Sequence, residues 1–380
     1  MARRQDMAEL YIHIPFCVRK CLYCDFCSFP ADRDMQENYV RALCEELVFS
    51  GEERCSASLS SVFIGGGTPS SLPAEHIITV MKCVREHFDV SDDAEITIEC
   101  NPGTVDADKL HAYAEAGINR ISFGLQSADD VELKTLGRIH TYDDFLNSYR
   151  LAAEAGFSNI NVDLMSGIPG QSLSSWESTL RKTCSLDPVP AHISAYSLIV
   201  EEETPFGEMM KDGRLDVPDE DLDREMYHMT SRILSEYGYS RYEISNYALD
   251  GHECRHNVGY WTGVPYYGAG LDASSYYGDA RYANTDDIIS YIKDPVVGHF
   301  QIEKLGMQDL MSEFMILGLR MIKGVSAGEF SKRFSRDLFD VYASQIEKHV
   351  KEGLLVTEDG NVFLSERGLD LANHVMQSFI

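Results

Sequence analysis

A chain of 380 residues with 44% apolar and 10% aromatic side chains exceeds the usual span of one compact core. It can bury one large domain plus a smaller one, which excludes a disordered chain. The formal net charge of −28 excludes generic attraction to nucleic-acid backbones or anionic lipid surfaces, leaving a local basic pocket as the way to hold an anion.

The opening stretch, MARRQDMAELYIHIPF, has neither a sustained apolar segment nor a small-residue cleavage site, and no run of about 18 apolar residues follows. A soluble, cytoplasmic protein is therefore expected. The first predicted strand, YIHI at 11–14, runs directly into Cys17-x3-Cys21-x2-Cys24. Four of the ten cysteines fall within eleven residues, while Cys44, Cys55, Cys83, Cys100, Cys184 and Cys254 are scattered. In a reducing compartment a tight group of thiols points to metal, and scattered cysteines are usually small core residues.

Three thiols on one short loop can converge on one inorganic cluster without long-range closure entropy. A structural zinc site normally takes four ligands as separated pairs, and this chain has no second C-x2-C pair. Three thiolates on a four-iron cube leave one iron open to a chelating ligand. A zinc site or a chance group of thiols is the competing reading.

Further short β-branched runs follow, each alternating with a helical stretch: SVFI at 61–64, ITIE at 96–99, RISF at 120–123, INVDL at 160–164 and HISAYSL at 192–198. Such alternation implies parallel pairing with crossovers. The segments EAGINRISFGLQS, EAGFSNINVDLMSG and EYGYSRYEISNYA each pair a helix ending near glycine with a following strand, as repeated α-to-β steps would. The expected fold is α/β, a partial (β/α)6 TIM-like barrel over 1–245, with a doubly wound open sheet as competitor. The informative residues fall in or after the strands: the cysteines after the first, Gly65 to Thr68 after the second, Glu99 ending the third, Gln126 past the fourth and Asp163 within the fifth. Phe63-Ile64-Gly65-Gly66-Gly67-Thr68-Pro69 runs from strand into bare backbone that a ligand can approach, and it is not a P-loop, since no Gly-Lys-Ser/Thr follows.

Residues 246–300 are expected to connect this barrel to a C-terminal domain over 301–380. There the pattern changes to helices near 307–320, 326–333 and 338–352, then LLVTED and VFLSE around an Asp359-Gly360 turn, then a last helix. That order is winged-helix-like. With nine Lys or Arg against twelve Asp or Glu, net −3, a packing or lid role is expected rather than DNA binding, and a cluster-sensing transcription regulator is disfavoured.

CVRKCLYC preceded by YIHIPF resembles the radical S-adenosylmethionine superfamily. The neighbouring motifs resemble one family within it, the oxygen-independent coproporphyrinogen III oxidase-like proteins, over nearly the whole chain. The resemblance implies a [4Fe-4S] cluster on Cys17, Cys21 and Cys24 with S-adenosylmethionine at the open iron. It also implies that Gly66, Gly67 and Thr68 contact the methionyl amino group, and that Tyr11, Glu99, Gln126, Arg138 and Asp163 are the remaining contacts, in the contexts IECNPG, SFGLQS, LGRIH and VDLMSG. Carboxylates can accept from ribose hydroxyls or an ammonium, and an arginine can pair with a carboxylate.

Two features resemble the haem chaperone branch of that family rather than the oxidase. The oxidase motif continues as C-x3-C-x2-C-x-C, whereas Phe26 follows Asp25 here and Cys27 stands one residue out of register; only sixteen residues precede Cys17, leaving less protein to enclose a tetrapyrrole for radical chemistry. The stretch His256-Asn257-Val258-Gly259-Tyr260-Trp261 resembles the HNxxYW signature of the chaperone branch. It implies haem as cargo, with His256 as an iron ligand, Tyr260 and Trp261 flanking the porphyrin and Asn257 beside them; Cys254 is a rival ligand, and a hydrogen-bonded core histidine is the plainer reading of His256. The implied partners are acceptor haemoproteins, respiratory and membrane-associated ones among them, and an electron donor, with no nucleic acid. The sequence is compatible with a homodimer. The alternative is the oxidase itself, which decarboxylates coproporphyrinogen III to protoporphyrinogen IX through a 5'-deoxyadenosyl radical.

Overall fold

The computed structural model describes residues 7–380; Arg3 and Arg4 of the N-terminal stretch lie outside it. Six strands run in chain order as parallel neighbours: β1 (Met7–Ile14), β2 (Ser58–Gly66), β3 (Val90–Cys100), β4 (Arg120–Gln126), β5 (Asn159–Ser166) and β6 (His192–Ser197). Helices such as Arg33–Phe49, Ala74–His87, Ala107–Glu115, Tyr142–Glu154 and Leu173–Cys184 make the crossovers. All seven residues of β4 are buried, as expected of a parallel strand covered on both faces. This is the expected partial β/α barrel. It does not close, because β1 pairs on its outer side with β9 (Tyr266–Ala269), while β6 pairs antiparallel with β8 (Asn246–Ala248), which also holds β7 (Ser240–Arg241).

Residues 246–300, read from the sequence as a connecting segment, contribute to the main sheet. Beyond β9 they add β10 (Ser274–Tyr277), β11 (Ala280–Asn284) and the start of β12 (His299–Lys304), an antiparallel extension. These strands are short, rich in tyrosine and interrupted by glycine, so the β-branched pattern that marks β1 to β6 is missing from them.

The C-terminal part packs its own core around Met315, Phe330, Leu338, Val362 and Val375. The strands β13 (Val325–Ser326), β14 (Leu355–Glu358) and β15 (Asn361–Leu364) form a small sheet in the order β13-β15-β14 beside the helices Met307–Gly318, Ala327–Phe334 and Ala343–Lys351. Asp359 and Gly360 both adopt positive φ, 50° and 76°, as the tight hairpin between β14 and β15 requires. Among the described residues no helix is long and apolar enough to cross a membrane.

The parallel register brings the strand ends level. His13 lies opposite Gly65, Ile14 opposite Gly66, Glu99 opposite Ser122, and Gly124 opposite Asp163. Loops leaving these strands therefore share one rim, where α/β sheets build their sites.

A buried carboxyl ties the sheet extension to the barrel. Glu46, on the helix Arg33–Phe49, is fully buried and accepts from the Tyr291 hydroxyl at 2.5 Å, the Asn284 amide at 2.7 Å and the Gly270 N–H at 2.8 Å. Burial raises its pKa to about 7 although these donors oppose the rise. A raised folded-state pKa means that the folded chain holds a proton the unfolded chain releases above about 4.5. Its contribution to stability is thus full below that pH and is lost as pH rises through about 7. Urea midpoints for wild type and Glu46→Gln between pH 4.5 and 8 should show wild type losing stability relative to the variant across that window. Parallel curves would contradict the assignment.

Candidate functional site

The loop after β1 is pinned at its base by a parallel bridge between Phe16 and Phe29, with the Cys17 N–H donating to the Phe29 carbonyl at 3.1 Å and the Phe29 N–H to the Pro15 carbonyl at 2.9 Å. Lys20 Nζ closes the loop by donating to the Phe26 carbonyl at 2.8 Å. Cys17, Cys21 and Cys24 are free thiols, half-buried, and line one cavity of about 140 Å³. Three soft thiolate donors on one short loop, facing one cavity, are a donor set that fits an iron–sulfur cluster.

The glycine turn after β2 lies directly against this loop. The Gly67 N–H donates to the Ile14 carbonyl and the Thr68 N–H to the Phe16 carbonyl, both at 2.8 Å. A Cβ on Gly67 would sit 2.8 Å from that same Phe16 oxygen, so only glycine permits the approach. Gly66 takes φ +108°, and a Cβ there would meet the His13 ring at 2.6 Å. The hydroxyl of Thr68 lies 3.5 Å from the Cys17 sulfur and accepts from the Asn101 amide at 2.7 Å.

Opposite the cysteines stand Glu99, Gln126, Arg138 and Asp163, all lining the same cavity with Gly66, Gly67 and Thr68. Glu99 accepts from the Gly66 N–H at 3.2 Å. Its carboxyl is pushed up to about 8 by burial and then by repulsion from Asp163. Burial also raises Asp163, which accepts from Asn161 at 2.8 Å and Ser122 at 3.0 Å. Arg138 donates to the Gly124 carbonyl at 2.6 Å and the Asn101 carbonyl oxygen at 2.7 Å, and points its other nitrogen at the Cys21 sulfur, 3.6 Å away. Gln126 holds φ +69°, a conformation costly for a non-glycine residue, and accepts from the Tyr196 hydroxyl at 3.1 Å.

Tyr11 stands apart from this group. Its hydroxyl hydrogen-bonds His13 Nδ1 at 3.0 Å, and it lines an adjoining cavity of about 410 Å³ together with His13, Phe26, Cys27 and Tyr260. Asn101 and Tyr196 were not singled out in the sequence, although they brace Thr68, Arg138 and Gln126. Their strand-end positions in IECNPG and HISAYSL were the available signal.

The HNVGYW stretch forms the helix Arg255–Thr262, packed on the β1–β2 side of the sheet. The fit depends on Gly259, where a Cβ would lie 1.7 Å from the Glu9 carboxyl. His256 does not face a cavity as an iron ligand would. It is 2% exposed, its Nδ1 meets the Ser61 hydroxyl at 2.8 Å, its Nε2 meets the Tyr260 hydroxyl at 3.0 Å, and its ring stacks on Phe63 at 5.2 Å. Burial, reinforced by Arg120, lowers it to about 3, so the imidazole is neutral. Cys254 is fully buried and donates to Glu95 at 3.4 Å. Asn257 is half-buried beside it.

Tyr260 and Trp261 do line a cavity, one of about 480 Å³ between this helix, the β9–β12 extension and the C-terminal domain. The Arg320 guanidinium lies 4.2 Å over the Trp261 ring, whose buried Nε1 has no hydrogen-bond partner among the described residues.

Comparisons with known proteins agree with the fold. The model of the radical SAM superfamily matches residues 11–183, and that of the HemN C-terminal domain matches residues 307–371. The protein named heme chaperone HemW from Bacillus subtilis (strain 168) is 36% identical over 378 residues, covering 98% of this chain and 99% of its own. The protein of the same name from Escherichia coli (strain K12) is 34% identical over 370 residues, covering 94% of this chain and 96% of its own. Among solved structures, coproporphyrinogen III oxidase (HemN) from Escherichia coli superposes with a TM-score of 0.86 over 99% of this chain and 91% of that one, at 23% identity, a likeness of fold.

Cys21→Ser is expected to abolish iron retention after anaerobic reconstitution while the far-UV circular dichroism stays that of wild type. Cys21 itself belongs to none of the apolar clusters, although its neighbours Leu22 and Tyr23 pack against one, so a collapse of helical signal together with iron loss would contradict this placement.

Proposed function

The chain belongs to the HemW family of radical S-adenosylmethionine proteins, and from that membership we propose that it binds haem and passes it to acceptor haemoproteins. The observation that carries this reading is similarity at 36% identity along nearly the whole length of a protein named as a haem chaperone. Likeness to the oxidase, at 23% identity, concerns architecture.

Cys17, Cys21 and Cys24 are the residues that would hold a [4Fe-4S] cluster, and its open iron would take the amino and carboxylate groups of S-adenosylmethionine. When bound, that cluster supplies an electron to the sulfonium. The protein's own part is to orient and shield. Gly66, Gly67 and Thr68 offer bare backbone to the methionyl end, Arg138 stands ready for its carboxylate, and Glu99, Gln126 and Asp163 offer acceptors for the ammonium and ribose. A cationic ligand explains why two carboxyls are buried together. Alone they repel and take up protons; beside a positive ligand both are stabilised as carboxylates. Tyr11 would reach this ligand only from the adjoining cavity, so its contact is the least direct of the set.

The haem cargo is assigned to the aromatic cavities beside Tyr260 and Trp261, with the C-terminal domain forming one wall. Acceptors in the respiratory chain, a cytoplasmic location and an electron donor for the cluster complete the reading. Anaerobically reconstituted protein titrated with haem should develop a saturable Soret band, release the haem to an added apo-haemoprotein, and convert no coproporphyrinogen III. Absence of saturable uptake, with protoporphyrinogen IX appearing instead, would transfer the chain to the oxidase.

A further inference from the structure

A haem carrier needs a side chain on the iron, and His256 is poorly placed for it. Both its ring nitrogens are hydrogen-bonded, one face is covered by Phe63, and it lines none of the three cavities beside the HNVGYW helix. Placing iron on either nitrogen would require the ring to abandon a partner and leave the core.

We propose that the phenol oxygen of Tyr260 ligates the haem iron, with His256 as a positioning residue behind it. This rests on the haem-binding reading above. Tyr260 sits one helical turn after His256, so the two side chains share a helix face, and their polar atoms meet at 3.0 Å. Unlike His256, Tyr260 lines both the 480 Å³ and the 410 Å³ cavities, and Tyr266 and Ser274 also line both. The two spaces thus adjoin at Tyr260. The smaller one shares Phe26 with the cavity of the cysteine loop, so a flat ligand spanning the junction would place one edge toward the proposed cluster.

The lining suits a tetrapyrrole. Tyr266 packs edge-on to Tyr260 at 4.6 Å, and Trp261, Tyr276 and Phe314 extend the aromatic wall. In a chain of net charge −28, Arg281, Arg333 and Lys323 all face the larger cavity and provide cations for propionates. Glu303, Glu313 and Glu329 face it too, and Arg281 pairs with Glu313, so one propionate would compete with that carboxylate.

Tyrosinate is among the side chains that ligate haem iron. On binding ferric haem the phenol O–H bond breaks and the Fe–O bond forms, with no change in oxidation state. The proton leaves to solvent through the cavity, while the neutral His256 imidazole keeps its Nε2 facing the oxygen and orients it. Rival ligands in the smaller cavity are the phenols of Tyr11 and Tyr266, the imidazole of His13 and the thiol of Cys27, and loss of the band in Tyr260→Phe separates Tyr260 from all of them. His13 has both ring nitrogens engaged, by the Tyr11 hydroxyl at 3.0 Å and the Cys27 carbonyl at 2.9 Å. Cys27 carries a thiol whose ionisation is made harder by burial and then by Asp272.

The test is the absorption and electron paramagnetic resonance spectrum of the ferric haem complex of reconstituted wild-type protein and four variants, each checked for unchanged iron content and circular dichroism before haem is added. Wild type should show a phenolate-to-iron charge-transfer band. Tyr260→Phe should lose the band, Tyr260→His should replace it with a nitrogen-ligated spectrum, and Cys27→Ser should keep it. His256→Gln should retain the band with affinity weakened about tenfold, the usual scale for removing a group that orients a ligand. A Tyr260→Phe spectrum indistinguishable from wild type, or loss of the band in Cys27→Ser, overturns the ligand assignment alone. Wild-type protein that takes up no haem overturns the proposed function and this assignment together.

Discussion

The contact on which the site depends is a backbone one: the glycine turn after β2 pressed against the cysteine loop after β1. Two N–H groups, from Gly67 and Thr68, reach carbonyls of Ile14 and Phe16, and the missing Cβ of Gly67 makes the approach possible. Parallel pairing of β1 with β2 brings the two segments level, and the pair of hydrogen bonds then fixes the thiols relative to bare peptide groups. Cluster ligands and the surface that would receive the cluster's own ligand are therefore positioned by one rigid unit rather than by two independent loops.

Electrostatics completes that unit from the far side of the cavity. Glu99 and Asp163 are buried near each other, each with polar neighbours but no cation bound to them directly, and both are held toward the protonated state. Among the described residues no carboxylate pairs with Arg138; carbonyl oxygens and a sulfur hold it. The cavity thus separates Arg138 from two buried carboxyls whose burial and mutual repulsion Arg120 offsets only in part. A zwitterionic ligand with additional positive charge would satisfy both ends, which an empty aqueous pocket would do only in part.

Much of this was legible in the sequence because the six parallel strands carry dense β-branched runs and the motifs sit at their ends. YIHI fell within Met7–Ile14, SVFI within Ser58–Gly66 and ITIE within Val90–Cys100. The extension β9–β12 was not legible, since its strands are four to six residues long and lack dense β-branched runs, three of them carrying tyrosines instead. His256 shows a different limit. Its partner Ser61 lies 195 residues away, and no local pattern announces a hydrogen bond across that separation. The same holds for Asn101, which joins Thr68 to Arg138 through the register of three strands. Sequence spacing put the candidate residues at one rim; only packing shows which of their atoms are already engaged.

The measurement that bears most directly on the central claim is electron paramagnetic resonance of the anaerobically reconstituted, reduced chain with and without S-adenosylmethionine. The account predicts a four-iron centre whose signal changes when that ligand is added. Zinc in place of iron, or a reduced-cluster signal that the ligand leaves unmoved, would contradict it.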